Sequence, residues 1–254
     1  MIEVVLVGTG NVARFLFDSF LTLPAVHIKA VVGRNSEALS YFKERGAVSV
    51  TYETIPSADI FILAVKDEVI PEVAKKLNLS EGLLVHTSGS VSIRELPAEG
   101  RRGVLYPLQT FSGVMPSHVK DIPFCLEAES QEDYAMLESL VENMSTDIRH
   151  ITSEQRKKLH LAAVFANNFT NHLYHVAYQL CKENGVSPTI LGPLIKETCY
   201  KIGSQDPLDA QTGPARRGDV KTMKQHLALL NTAAYKDIYT AISASIEQTY
   251  GEQL

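Results

Sequence analysis

Val4-Val5-Leu6-Val7-Gly8-Thr9-Gly10-Asn11-Val12-Ala13 is the stretch of this chain that decides its fold. An unbroken apolar run ends at Gly8, and a helical pattern with Val12, Phe15, Leu16 and Phe20 on its apolar face follows at once. Strand, tight turn and helix N-terminus succeed one another without a spacer. Gly8 permits the turn, and Gly10 has no side chain to hold a pyrophosphate away from the backbone. Ala13, small like the third glycine it replaces, lets helix and strand pack closely. The first helical turn offers unpaired N–H groups and a partial positive charge to phosphate. On its own such a turn means only a loop that needs positive φ. Set between a strand and a helix, it predicts a dinucleotide site at Gly8, Thr9, Gly10, Asn11 and Val12.

Working outward, the first 150 residues alternate strand-like and helix-like segments. Strand patterns lie near 2–8, 27–33, 47–50, 59–65, 83–87, 102–106, 123–128 and 147–151. Helical patterns lie near 11–22, 36–45, 69–78 and 130–144. Ile60-Phe61-Ile62-Leu63-Ala64-Val65 is apolar on both faces, as a parallel strand covered by helices on both sides must be. The expectation is a doubly wound, mostly parallel α/β sheet over 1–151, with its ligand at the carboxyl ends of the strands. After His150 the strand signal stops. Thr152 or Ser153 can cap a helix that reads unbroken to Gly185, and further helical patterns occupy 188–203, 219–230 and 232–250. Residues 152–254 are therefore expected to form an all-helical domain for substrate binding and dimerisation.

Composition narrows the class. The chain has 254 residues, 45% apolar and 21% charged, with a formal net charge of −5. That balance argues against nucleic acid as a partner. The N-terminus opens directly on a strand pattern, and no signal peptide is expected. Cys125, Cys181 and Cys199 match neither a metal-ligand spacing nor a disulfide framework. A cytoplasmic protein with no metal and no membrane partner is expected, its cysteines serving as small apolar fillers.

The end of the second strand meets the adenosine ribose in dinucleotide folds, and a carboxylate there selects NAD. Here the sequence is Val31-Val32-Gly33-Arg34-Asn35-Ser36, with no carboxylate before Glu37. Arg34 can form bidentate, charge-assisted bonds to a 2′-phosphate, with Asn35 and Ser36 as further donors. NADP is thus expected rather than NAD. Ala64, Val65 and Lys66, ending the fourth strand, are placed beside the nicotinamide half. Asp67 is expected to cap the helix carrying Pro71. Beyond the fifth strand, Ser88 and Ser90 either hydrogen-bond a substrate carboxylate or the carboxamide, or close a turn. Ser88 stands as a candidate catalytic residue and Ser90 as a candidate substrate ligand. His86, within the strand, reads as a core histidine.

From Leu159 to Cys181 there is no Asp, Glu, Lys or Arg. Three asparagines and three histidines nevertheless make a membrane span implausible. At 100° per residue, His160, Val164, Asn167, Asn168, Asn171 and His175 share one arc, and Ala162, Phe165, Ala166, Phe169, Leu173 and Ala177 the opposite one. Such a helix is expected to be buried on both sides, its apolar arc against the helical core or a second subunit and its polar arc facing a ligand cleft or satisfied by backbone and solvent. His160 is the member suited to exchange a proton. Asn168 would orient the substrate, with Asn167 and Asn171 beside it. In Gln211-Thr212-Gly213-Pro214-Ala215-Arg216-Arg217-Gly218-Asp219, Asp219 is a good N-cap. Arg216 and Arg217 either grip a substrate anion or are solvated.

With these residues in view, the chain resembles the 6-phosphogluconate dehydrogenase-like superfamily. That group includes β-hydroxyacid dehydrogenases, ketopantoate reductase, pyrroline-5-carboxylate reductase and prephenate dehydrogenase. His86-Thr87-Ser88-Gly89-Ser90, Tyr106-Pro107-Leu108-Gln109-Thr110-Phe111, the helix around Asn167-Asn168 and Thr212 to Asp219 are similar to a branch of Rossmann-like oxidoreductases with a C-terminal helical domain of unknown function. The resemblance implies that His160 stands where related enzymes carry a catalytic lysine, with Asn168 two turns on. It implies that Tyr106-Pro107 replaces a histidine–proline element without its histidine, and that the helical domain dimerises. The resulting expectation is an NADPH-dependent oxidoreductase acting on a small, anionic carbonyl, hydroxy acid or imine. A catalytically silent NADP-binding sensor is the alternative.

Overall fold

The computed structural model describes every residue except Asn78, Ser80, Ser117 and 252–254. Strands β1 (Ile2–Val7), β2 (Val26–Val32), β3 (Ser49–Val50), β4 (Ile60–Leu63), β5 (Leu83–His86), β6 (Arg101–Pro107), β7 (Phe124–Ala128) and β8 (Ile148–His150) form one sheet in the order β3-β2-β1-β4-β5-β6-β7-β8. All neighbours pair in parallel except β6 and β7. The order reverses between β1 and β4, which puts the ligand crevice at the carboxyl ends of those two strands.

The two-sided apolar strands explain the layers. Side chains alternate along a strand, so Ile60 and Ile62 enter one core while Phe61 and Leu63 enter the other. Helices α1 (Asn11–Phe20), α2 (Ser36–Lys43) and α4 (Gln131–Val141) cover the first face with Phe15, Leu16, Phe17, Phe20, Phe42, Leu137 and Leu140. Helix α3 (Ile70–Leu77) covers the second with Ile70, Val73, Ala74 and Leu77. Burying each such side chain contributes about 1.5–3 kcal/mol before chain entropy is subtracted. Asn78, where the sequence pattern ends this helix, lies outside the described residues.

One local expectation changes. Asp67 does not cap α3. It begins a 3₁₀ turn, Asp67–Val69, that leads into the helix, and its carboxylate accepts a hydrogen bond from Ser90 Oγ. Asn35, expected as a phosphate donor, is also the N-cap of α2, its Oδ1 accepting from the N–H groups of Glu37 and Ala38.

The chain divides into two compact units, Met1–Asn168 and Phe169–Leu254. The helix that opens at Ser153 is not uniformly α-helical. α5 (Ser153–Ala163) passes through a π-helical turn, Val164–Phe169, into α6 (Thr170–Glu183). Widening the turn shifts every later side chain around the axis, so the faces drawn at 100° per residue hold only as far as the turn. Within a single chain the apolar side of this helix is open, with Leu161, Phe165 and Phe169 58%, 62% and 50% exposed, so its expected burial there would need a second subunit. The second unit continues with α7 (Gly192–Ser204), a short α8 (Pro207–Ala210) absent from the sequence reading, α9 (Val220–Leu229) and α10 (Ala233–Gly251).

Candidate active site

Within Met1–Asn168 the carboxyl ends of β1, β2, β4, β5 and β6 and the helix from Leu159 to Asn168 line a cleft of about 1110 Å³. At its β1 end the backbone is specialised for close approach. Gly8 has φ +125°, and a Cβ there would lie 2.1 Å from the Ala64 carbonyl oxygen. A Cβ on Gly10 would meet nothing within 4 Å, so the space above it is open. Gly10 is also the N-cap of α1, and no side chain caps that helix, whereas Asn35, Ser130 and Thr152 cap α2, α4 and α5. Its first-turn N–H groups are thereby left to an anion. Arg34, exposed at the end of β2, lines the cleft and makes no side-chain hydrogen bond or ion pair among the described residues.

Of the residues singled out in the sequence, Gly8, Thr9, Gly10, Asn11, Val12, Arg34, Asn35, Ala64, Val65, Lys66, His160, Asn167 and Asn168 line this cleft. Ala162 and Ala166, placed on the opposite arc by the sequence, line it as well, Ala162 just ahead of the π turn and Ala166 within it. Asn11 has a second role: its Nδ2 donates to the Phe111 carbonyl at 2.8 Å, and Phe111 packs on Phe15 with ring centroids 4.6 Å apart. The loop after β6 is thereby tied to the glycine turn.

Other expected site residues fall elsewhere. Ser88, 5% exposed, uses its hydroxyl to accept from Ser90 N–H at 3.1 Å and Val91 N–H at 3.0 Å. With Ser90 held on Asp67, the pair closes the turn after β5 and neither lines the cleft. Ser36 is exposed at the start of α2 and also lies outside the lining. Asn171 belongs to the second unit. Arg216, in the same unit, folds onto its own loop, donating to the Gln211 and Asp209 carbonyls and stacking on Tyr250. Its guanidinium is engaged within the chain. Arg217 is exposed beside Asp219, the N-cap of α9.

His160 stands at the β6 side of the cleft. Its Nδ1 lies 3.0 Å from the Tyr106 hydroxyl, and its Nε2 makes no hydrogen bond among the described residues. Gly89 makes this pairing possible, since a Cβ there would sit 2.5 Å from His160 Nδ1 and 2.8 Å from Tyr106 Cζ. Burial pushes the Tyr106 phenol up to about 12. The neighbouring His86, fully buried, is pushed down to about 4 by burial and then by the Arg156 guanidinium, and its Nδ1 accepts from Ser88 N–H at 3.2 Å. His86 is a neutral core histidine.

Arg156 is the residue that sequence reading passed over. It is 0% exposed, donates through Nε to Ser88 O at 3.1 Å and through a terminal nitrogen to Val91 O at 2.6 Å, and pairs with Glu127 at 2.5 Å. Ser153 joins this network at Glu127. One turn before His160, Arg156 thus clamps α5 to the Ser88–Val91 turn and to β7. A lone arginine at a helix start, beside Lys157 and Lys158, carries no sequence signal of burial. Only its tertiary partners mark it.

Residues 3–88 match a family model described as NADP oxidoreductase, coenzyme F420-dependent, and residues 122–246 match a domain of unknown function, DUF2520. No curated protein matches the sequence. Among solved structures, a Bacteroides fragilis protein provisionally designated an NADP oxidoreductase is 36% identical, with 97% of this chain and 98% of that one covered and a TM-score of 0.90. A reductive aminase from Aspergillus terreus (15% identity, 99% and 94% covered, TM-score 0.72) and a 1-pyrroline-5-carboxylate reductase from Streptococcus pyogenes (15%, 98% and 98%, 0.65) share the fold. On the strength of the Bacteroides relative and the two domain matches, the chain belongs to the family of Rossmann-type NADP oxidoreductases that carry this helical C-terminal domain.

Proposed function

We propose that the protein is an NADPH-dependent reductase that adds a hydride and a proton across a small C=O or C=N bond. One observation carries this reading. A single cleft joins an uncapped helix N-terminus and an unpaired arginine at one end to an imidazole with a free nitrogen at the other. The residues fit the cofactor: Gly8 lets the turn pass against the Ala64 carbonyl, Gly10 leaves room for a pyrophosphate at the N-terminus of α1, and Arg34 offers a planar fork to a 2′-phosphate. Ala64, Val65 and Lys66 would hold its other half. NADPH supplies the hydride when bound. His160 would exchange the proton at Nε2, and Asn168 and Asn167 would hydrogen-bond the substrate. Arg217 remains the candidate for an anionic substrate group, because Arg216 is engaged within its own loop.

Cofactor binding is assigned to residues 1–151 and substrate recognition and pairing to 152–254, in a cytoplasmic setting. No helix among the described residues is long and apolar enough to cross a membrane. NADPH consumption with a panel of cyclic imines and 2-oxo acids tests the reading, with 1-pyrroline and pyruvate as its simplest members. His160→Ala is expected to lower kcat by about 10²–10⁴-fold. Arg34→Ser is expected to weaken NADPH by about tenfold or more and NADH far less, since it removes charge-assisted bonds only the 2′-phosphate makes. Tight NADPH binding without turnover on any panel member would point to the sensor instead.

The partner of the helical region is inferred to be a second copy. Among the described residues of the second unit only Ala215, Met223, Leu230 and Tyr250 are buried hydrophobics, while Ile190, Leu194, Tyr200 and Leu229 are 64–76% exposed. So little buried apolar surface does not offset the entropy of ordering those helices. Light scattering is expected to give twice the 28.0 kDa chain mass at micromolar concentration. A monomer there would overturn the inference.

A further inference from the structure

Tyr106 lies on β6 opposite Cys125 and packs with Cys125, Val104 and Ile93, with Leu159 of α5 against the cluster. It is 9% exposed, and its hydroxyl has one hydrogen-bond partner among the described residues, His160 Nδ1. The two rings meet edge to face, with centroids 5.9 Å apart at 71°. Strand register, the apolar cluster and the absence of a side chain at Gly89 fix the phenol, so its oxygen is a stationary partner for an imidazole on the neighbouring helix.

We propose that Tyr106 is a positioning residue for His160: its oxygen accepts the Nδ1–H, so that the proton exchanged with substrate leaves from and returns to Nε2. This rests on the reading of His160 as proton donor given above. A histidine whose Nδ1–H is bound is held in one tautomer and one ring orientation, which fixes where its mobile proton sits. In reduction, the imidazolium would release its Nε2 proton to the substrate oxygen or nitrogen while the adjoining carbon takes the hydride, with its electron pair, that bound NADPH would supply. The ring is left neutral with Nδ1–H still on Tyr106, and NADP⁺ is the oxidised product. Oxidation runs the same path backwards, with Nε2 taking the proton. Tyr106 stays a neutral phenol throughout, because burial disfavours its anion.

Two measurements on the full-length protein test this. In ¹⁵N-histidine-labelled protein, with the His160 signals assigned by their loss in His160→Gln, neutral His160 is expected as the Nδ1–H tautomer. In Tyr106→Phe the two tautomers should mix. An Nε2–H tautomer in the unmodified protein, or an unchanged spectrum in Tyr106→Phe, overturns the proposal. In the second, Tyr106→Phe should lower kcat about ten- to hundredfold while KM and the Kd of NADPH stay within about twofold. A rise in KM or Kd with kcat intact would mean that Tyr106 only shapes the cleft. If no panel member oxidises NADPH, the reductase reading fails, yet the tautomer measurement still decides the pair.

Discussion

Replacing Arg156 by alanine is expected to destabilise the protein by about 3–5 kcal/mol, the loss typical of a buried pair left with one charge. Nothing in the surroundings can take over. The guanidinium is fully buried, and without it Glu127, Ser88 O and Val91 O all lose a donor. The same clamp joins α5 to the turn containing Gly89, on which His160 and Tyr106 pack. Turnover should therefore fall even at temperatures where the variant is still folded. Urea unfolding checks the stability, and a loss below about 1 kcal/mol would show that the network contributes little. Glu127→Ala should do comparable damage, while Arg156→Met combined with Glu127→Leu should be milder than the two single losses added together, since no charge is stranded.

The network also sets a pH dependence. Hydrogen bonds from Arg156 and Ser153 outweigh burial and hold the Glu127 carboxyl below its usual range, while His86 is held down to about 4. Both groups bind protons more readily in the unfolded chain. Their contribution is therefore full above about pH 6.5, where unfolded histidine is neutral, and declines as the pH falls toward and through 4. Acid unfolding should be measurably less steep in the Arg156→Met, Glu127→Leu variant.

Gly8→Ala and Gly10→Ala should part company sharply. At Gly8 the new Cβ meets the Ala64 carbonyl oxygen and the backbone must stay at φ +125°, so strain and overpacking together are expected to remove about 2–5 kcal/mol. The Gly10 backbone is extended, φ −76° and ψ −176°, with open space above it. Gly10→Ala should leave stability within about 1 kcal/mol, because losing glycine at an N-cap is a small change. Its new methyl group instead occupies the space kept for a phosphate, and NADPH affinity should drop more than tenfold. Thermal melting with and without NADPH separates the two effects. Equal melting temperatures for the two variants without cofactor would contradict the assignment of Gly8 to architecture and Gly10 to the ligand.

Much of the fold was legible because it rests on short-range pattern. All eight strands lie where the apolar runs place them, since a two-sided strand such as Ile60–Leu63 can satisfy both faces only inside a covered sheet. The glycine turn and Arg34 were legible for the same local reason: the turn, the helix terminus and the strand end lie within a few residues of one another. Ser88 and Ser90 close the turn, one of the two roles their sequence left open, because a serine in a turn can bond its own backbone as readily as a ligand. The long helix misled through its periodicity. A π turn leaves no compositional mark, and Ala166 within it lines the cleft, as does Ala162 just before it.

By itself the sequence determined the sheet, the glycine turn and the helix that carries His160. Only the tertiary structure decided what that histidine touches. Tyr106, Gly89 and Arg156 come from β6, the turn after β5 and the preceding turn of α5, and no local pattern links them. They meet because the parallel sheet sets β5 beside β6 and a buried ion pair holds α5 across them. Propensity and periodicity act over a few residues, whereas the surroundings of that imidazole are made by chain segments about 70 residues apart that packing alone brings together.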